Sequence, residues 1–321
     1  MRQTLAKRPR VAGLISEYRR YSHGQNIIDR LMGGYGWENQ WHYPELDVVS
    51  LYVDQFPESD LSREREQRHP DLHIYPSIAE ALTLGGDELA VDGVVLIAEH
   101  GDYPRNERGQ KLYPRYEFFQ QITSVFRTTG KTAPVFCDKH LSYDWNRARQ
   151  MYDTSQELGF AFMAGSSLPV TSRVPAIDIP LGASVEEAMC MASAGDDGGD
   201  IHALEAIYAI LGPGFLTCRN TGTKTQNVVH FTHGRGADVV VVVSKDMFGG
   251  FGYLTLCGTH GSVQLKSGDS FFSFKSQLDD YVRYLRTGVR SYPFSETVEL
   301  MRMVIAGIES RQRDGALIEI T

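Results

Sequence analysis

The chain has 321 residues, 42% of them apolar and 22% charged, with a formal net charge of −8. That length holds two ordinary domains or one large one with a sizeable core, and the acidic balance speaks against a nucleic-acid partner, whose phosphates call for a basic patch. No apolar run approaches the ~20 residues that span a bilayer, the four cysteines show no C-x-x-C spacing, and residues 11–15 are too short for a signal-peptide core, so a cytoplasmic protein with no membrane partner, disulfide framework or structural zinc is expected.

Residues 11–15, Val-Ala-Gly-Leu-Ile, read as the first strand. A helix is expected over 25–32, with Ile27, Ile28, Leu31 and Met32 on one face, and Gly33, Gly34 and Gly36 break it. Residues 47–53 are β-branched and half alternating, a second strand ending at Asp54. The charged stretch 59–69 reads as a solvated helix and 72–75 as a short third strand. Ser77 with Glu80 fits a capping box at a helix start, and that helix ends near Gly85-Gly86. Residues 91–98 form the fourth strand, followed by Glu99-His100-Gly101-Asp102. A helix over 116–128 leads to the fifth strand, Pro134-Val135-Phe136-Cys137, which ends in Asp138-Lys139-His140. Ser142 is expected to cap the next helix, which Gly159 stops, and 160–165 is a sixth strand.

Strands alternating with helices of this length imply βαβ units, a parallel sheet and right-handed crossovers. A boundary is placed near Ser167, giving a first domain of 1–167 and a second of 168–321. In the second, a helix over 201–211 is closed by Gly212-Pro213-Gly214. Four β-rich runs follow, 227–232, 237–244, 252–257 and 261–266, which suggests an antiparallel sheet. Two amphipathic helices come next, over 275–286 and after a cap at Ser295, then a last strand over 316–320. The exposed face of such a sheet is a candidate surface for a homo-oligomer.

In an open α/β sheet, ligands bind in the crevice at the carboxyl ends of the strands, so the residues there carry the chemical reading. The first strand, its turn, its helix and the acid ending the second strand follow the plan of a dinucleotide-binding unit. The G-x-G-x-x-G fingerprint of such a unit is absent. Only Gly13 and Gly24 resemble its glycines, and they lie eleven residues apart. Between them stand Ser16, Glu17, Tyr18, Arg19 and Arg20. Either this loop cradles phosphate, with the arginines contacting it through their side chains, or it has been remodelled for another purpose. Asp54 is placed for a ribose hydroxyl but lies 41 residues after Gly13, against the usual ~20.

Glu99 and His100 end the fourth strand as either a functional pair or a plain polar turn. Lys139 either closes its strand as a surface lysine or, held among apolar strands, orients or protonates a substrate hydroxyl. His202 is either a structural helix histidine or a general base near Asp196, Asp197 and Asp200, which otherwise complement the positive helix end. Asp138, His140 and His202 could join Glu99 and His100 around a metal, but their spacing matches no metal signature. His230 and His233 read as surface or turn residues.

Taken together these features resemble the Gfo/Idh/MocA family, the glucose-fructose oxidoreductase and inositol dehydrogenase group. Asp138-Lys139-His140 resembles the family's lysine motif, usually Glu-Lys-Pro. The stretch from Gly165 to Pro175, with Arg173, is similar to its passage into the second domain. Gly199-Asp200-Ile201-His202 with Leu211-Gly212 resembles its histidine-bearing helix. Phe251-Gly252, Gly258-Thr259-His260-Gly261-Ser262 and the stretch from Ser295 to Ser310 match its sheet turn and final helix. The resemblance spans most of the chain through short motifs. Here His140 replaces the proline, and Gly198 stands where the family has an acid four residues before the histidine.

The resemblance implies a Rossmann-like doubly wound parallel sheet followed by an α+β domain with an open, mainly antiparallel sheet. It implies hydride transfer between NAD or NADP and a carbohydrate-like small molecule, with Lys139 and His202 as the orienting and proton-transfer pair beside Asp138 and His140. Gly13, Ser16, Glu17, Asp54, Glu99 and His100 are the candidate cofactor contacts, and Arg173 and Asp200 the candidate substrate contacts. Two other readings keep this scaffold: a lyase or hydrolase using the same polar crevice, with or without a metal, and a non-catalytic sensor or assembly protein.

Overall fold

The computed structural model describes residues 8–166, 173–174, 182–193, 200–223, 226–244, 253–267 and 270–320. The chain begins with β1 (Arg10–Glu17), α1 (His23–Gly33), a hairpin of β2 (Tyr35–Trp37) and β3 (Gln40–His42), β4 (Asp47–Gln55), α2 (Ser62–Arg68) and β5 (His73–Ile74). It continues through α3 (Ile78–Thr83), β6 (Gly93–Ile97), α4 (Arg115–Thr129), β7 (Val135–Asp138), α5 (Trp145–Glu157) and β8 (Phe162–Gly165). Six of these strands form one sheet in the order β5-β4-β1-β6-β7-β8. Every pairing in it is parallel. This is the doubly wound order, and its direction reverses between β1 and β6, which puts the crevice there.

The strands of this sheet are apolar on both faces because helices cover both. β6, β7 and β8 are buried along their whole length. One face packs on α3, α4 and α5 through Leu82, Phe119, Ile122 and Met151. The other packs on α1 through Ile27, Ile28 and Leu31. Each such fully buried aliphatic side chain contributes on the order of 2 kcal/mol. Ser77 caps α3 as expected: its Oγ accepts the Glu80 N–H at 3.1 Å and donates to the Glu80 carboxylate at 3.0 Å.

The second half contains β9 (Arg173–Val174), β10 (Val185–Ser193), α6 (Asp200–Leu211), β11 (Phe215–Asn220), β12 (Gln226–His233), β13 (Asp238–Ser244), β14 (Tyr253–Gly258), β15 (Gly261–Ser267), α7 (Ser270–Thr287), α8 (Phe294–Gln312) and β16 (Ile318–Glu319). Its eight-stranded sheet runs β16-β11-β12-β13-β10-β14-β15-β9. The pairing is antiparallel except between β10 and β13. Ala188, Cys190 and Ala192 point into the core with α6, while Met189 and Met191 face outward, the period-2 alternation of a one-sided sheet. The last two helices return to the first sheet. Leu278, Tyr281 and Tyr284 of α7 pack on the α1 face, and Phe294, Met301 and Ile305 of α8 pack on the other.

Several expectations are corrected. The four β-rich runs are strands of a mainly antiparallel sheet as expected, but β10 inserts between β13 and β14 and pairs parallel with β13. Neither β10 nor β11 was foreseen: Val-Glu-Glu-Ala-Met-Cys-Met-Ala-Ser is rich in helix formers, and the neighbouring strands override that preference. Asp144, not Ser142, caps α5 by accepting the Arg147 N–H at 2.9 Å. Helix α8 starts at Phe294 after Pro293, without a side-chain cap from Ser295. His233 is buried, 3% exposed, with its Nε2 3.1 Å from the Pro213 carbonyl. The expected boundary at Ser167 lies outside the described residues. Among the described residues no helix is long and apolar enough to cross a membrane.

Candidate active site

β7 ends at the carboxyl edge of the first sheet, and its last residues turn three ways. Asp138 closes the strand. Lys139 then takes φ +71°, the left-handed region, which costs a non-glycine residue on the order of 1 kcal/mol. A hydrogen bond from its N–H to the Gly165 carbonyl, 3.0 Å, holds this turn against β8. Because the backbone twists here, neighbouring side chains meet different partners.

Asp138 faces α1 and α7. Its Oδ2 lies 2.6 Å from His23 Nδ1, and its Oδ1 accepts from Gln277 Nε2 at 3.2 Å. Burial by itself would raise this carboxyl, but His23, Lys139 and Gln277 outweigh it and hold the pKa at about 2. Lys139 faces β6 and α6. Its Nζ lies 3.6 Å from Glu99 Oε1 and donates to His202 Nε2 at 2.9 Å. His140 faces α4, its Nε2 3.3 Å from an Arg115 guanidinium nitrogen. Arg115 also pairs with Glu99, so Arg115, Glu99 and Lys139 form one buried chain of alternating charge. A donated hydrogen at Nε2 leaves the proton of a neutral His202 on Nδ1, which points toward Ser166 Oγ at 3.4 Å.

Ser16, Glu17, Asp54 and His100 lie at or just past the ends of β1, β4 and β6. Gly13 lies within β1, where an added Cβ would come 2.8 Å from Leu51 Cδ2 and 2.9 Å from Ile28 Cδ1. The glycine thus lets α1 pack close. Gly24 does the same in the first turn of α1, where a Cβ would come 2.7 Å from Ile15 Cγ2 and 3.1 Å from the Glu17 carbonyl. The Ser16 hydroxyl sits 2.9 Å from the Glu99 carbonyl and 3.0 Å from that of His100, stapling β1 to the end of β6. Glu17 pairs with Arg19. Asp54 sits at the rim, accepting from Tyr52 at 2.8 Å and Tyr103 at 2.6 Å. His100 is pushed down to about 4, first by burial and then by His23. Its Nε2 is buried without a hydrogen-bond partner among the described residues. Arg173 lies in β9 and Asp200 opens α6. The contacts of those two side chains, and Asp196, Asp197 and Gly198 altogether, lie outside the described residues. Among the described residues no three His, Cys, Asp or Glu side chains converge on a point that would hold a metal ion.

Comparison with solved structures matches this architecture end to end. GenD2 from gentamicin A biosynthesis, solved in complex with NAD, superposes with a TM-score of 0.73 at 16% identity over 99% of this chain and 98% of that one. The myo-inositol dehydrogenase of Lactobacillus casei, solved with NAD(H) and myo-inositol, gives 0.72 at 12% identity over 98% and 97%. The myo-inositol 2-dehydrogenase of Lactobacillus plantarum gives 0.71 at 12% identity over 98% and 100%. The chain has the inositol dehydrogenase fold. No protein-family model and no curated protein matches its sequence.

Within this inositol dehydrogenase fold, five residues at the crevice escaped the sequence reading: His23, Arg115, Ser166, Glu205 and Gln277. Glu205 carried a readable signal. It is the single acid in the run 201–211, which is otherwise apolar but for His202, and it lies three residues after that histidine and so on the same helix face. Gln277 carried none, since nothing local says that α7 folds back onto β7.

Proposed function

We propose that this chain is a divergent Gfo/Idh/MocA oxidoreductase, using NAD or NADP to oxidise a hydroxyl of a sugar or polyol. The observation that carries the reading is the 2.9 Å contact between Lys139 Nζ and His202 Nε2 at the carboxyl edge of a doubly wound sheet. A hydroxyl oxygen lying within reach of both is held by the ammonium, while Nε2 accepts its proton. Lys139 is fixed for this by Glu99, which Arg115 holds from behind. The ammonium also stabilises negative charge as it develops on the oxygen.

Two features support a dinucleotide at this edge in place of the glycine fingerprint. The missing Cβ of Gly24 lets the positive end of α1 sit close against the end of β1. His100 Nε2, without a hydrogen-bond partner among the described residues, offers a buried polar atom beside the same crevice. Gly13, Ser16, Glu17, Asp54, Glu99 and His100 are the residues that would hold it, and Arg173 and Asp200 those that would contact substrate. When bound, the nicotinamide supplies the hydride acceptor. His23, between His100 and Phe274 with ring centroids 5.3 and 5.1 Å away, walls the crevice against water.

The proposed division is 1–167 for the cofactor and 168–321 for substrate and assembly. The outward face of the second sheet exposes Met189, Met191, Leu216 and Tyr253, which supports a homo-oligomer formed there by a cytoplasmic protein. Titration of the purified protein with NADH and NADPH tests the central claim. Quenched or enhanced nicotinamide fluorescence with a raised melting temperature is expected, and no response at millimolar cofactor would sink it.

A further inference from the structure

The chain of contacts that starts at Lys139 does not end at His202. The Nδ1 of His202 lies 3.4 Å from Ser166 Oγ, and Ser166 in turn grips Glu205. The Ser166 hydroxyl donates to Glu205 Oε2, and its backbone N–H donates to Oε1 at 2.7 Å. Glu205 is 1% exposed. A carboxylate in such a place needs hydrogen bonds to keep its charge, and both that it receives among the described residues come from Ser166. On its far side Glu205 borders a second cavity of about 380 Å³, lined also by Tyr208, Arg235, Ser291, Tyr292 and Glu296. One buried acid thus touches the back of the candidate active site and the wall of a separate cavity.

We propose that Ser166 and Glu205 form a proton relay behind His202, carrying the substrate hydroxyl proton away from the crevice into this second cavity. The inference rests on the dehydrogenase reading above. As the substrate O–H bond breaks, its proton bonds to His202 Nε2, and the Nδ1–H bond gives its proton to Ser166 Oγ. The Ser166 proton passes to Glu205 Oε2, leaving His202 neutral and Glu205 a neutral acid. The electron pair of the breaking C–H bond leaves with the hydride, and the oxygen keeps its own pair to become a carbonyl. Water in the cavity takes the proton from Glu205 and resets it.

The groups around Glu205 suit an acceptor that must also release. Burial pushes its pKa up to about 7, while the two Ser166 hydrogen bonds and the charge of Lys139 pull it down and Asp138 pushes it further up. His202 lies on its own helix. Tyr292 faces it from the loop before α8, with Glu296 from the first turn of α8 and Arg235 from the β12–β13 turn lining the same chamber. A carboxyl near neutrality exchanges protons with both imidazole and water at physiological pH. A crevice closed by cofactor and substrate would otherwise trap the proton it produces.

Histidine side-chain NMR of the cofactor-free protein decides the relay by itself. In the parent, the His202 ring nitrogens are expected to register a second titration step near pH 7 from Glu205. That step should vanish in Glu205→Gln, which keeps the shape, and in Ser166→Ala, which keeps both ionisable groups but cuts the link. In turnover, Glu205→Gln should lower kcat about a hundredfold, the low end of what proton transfer contributes. The limb near neutrality in its pH profile should be lost, with NADH affinity unchanged. A His202 titration identical in parent and both variants overturns the relay. Failure of the parent to bind NADH retires the dehydrogenase reading instead and leaves the imidazole result standing.

Discussion

Lys139 Nζ lies 2.9 Å from His202 Nε2, a contact between residues 63 apart in sequence. It joins the carboxyl edge of the parallel sheet to a helix packed on the other sheet. The left-handed turn at Lys139 and the first turn of α6 must both be in place before it forms. Lys139→Ala and His202→Ala are each expected to lower kcat at least about a hundredfold while leaving NADH affinity nearly unchanged, because neither side chain belongs to the predicted cofactor contacts. Steady-state kinetics beside NADH fluorescence titration separates the two quantities. Matched losses of both would place these residues in cofactor binding instead.

Glu99 links Arg115 and Lys139 with both of its partners nearly buried. Removing it leaves two cations facing each other in low dielectric. Glu99→Ala should cost about 3–5 kcal/mol of stability, as expected when one partner of a buried pair is lost. The double change Glu99→Leu with Arg115→Met should cost less than Glu99→Ala, since it removes charge as well as the pair. Urea unfolding of the three proteins measures the order.

Asp138, held near pKa 2 against an ordinary value of 3.8, makes stability depend on acid. A carboxyl whose folded pKa is depressed contributes its full stabilisation above the unfolded value and loses it as pH falls through the folded one. The parent should therefore lose about 2 kcal/mol between roughly pH 4 and pH 2 from this group. Asp138→Asn should flatten that limb, and so should His23→Ala in part. Urea midpoints across this range provide the check.

Gly13 and Gly24 make separable predictions. Gly13→Ala drives a methyl into Leu51 and Ile28 and should destabilise by about 1–3 kcal/mol, as overpacking does. Gly24→Ala meets the Glu17 backbone carbonyl as well as Ile15, so the first turn of α1 must lift. A weaker NADH affinity is expected there with a melting temperature lowered at least as much, since a backbone carbonyl yields less readily than side-chain ends. An NADH affinity left unmoved by Gly24→Ala would count against a cofactor seat at the start of α1.

Met189 and Met191 stand on the outward face of β10. Met189→Glu with Met191→Lys should leave the fold intact, since both side chains already face water, and should shift the sedimentation coefficient to that of a monomer. A parent that already sediments as a monomer at micromolar concentration contradicts the proposed assembly.

The strands of the first sheet were legible because their signal is local. Runs such as Gly93-Val94-Val95-Leu96-Ile97 are apolar on both faces, and polar residues at their ends mark where the sheet meets the crevice. The Ser77 cap was legible for the same reason, since cap and helix lie within one turn of each other. β10 was not legible, because its Glu, Ala and Met residues favour a helix until β13 and β14 supply hydrogen-bond partners on either side. At the crevice, Lys139 and His202 were each open to a plain structural reading by residue type, and the family resemblance singled them out. Arg115, Ser166 and Gln277 did not, because each acts only through a neighbour that arrives from elsewhere in the chain.

By itself the sequence determined which segments become parallel strands and which charged residues end them, since burial pattern and capping are set within a few residues. Only the tertiary structure decided where those charges point. The positive φ at Lys139 sends Asp138 toward His23, Lys139 toward His202 and His140 toward Arg115. The return of α7 and the docking of α6 then supply Gln277 and Glu205. Such partners are fixed by the packing of whole elements, where the free energy of burying apolar faces sets the geometry and the polar contacts follow from it.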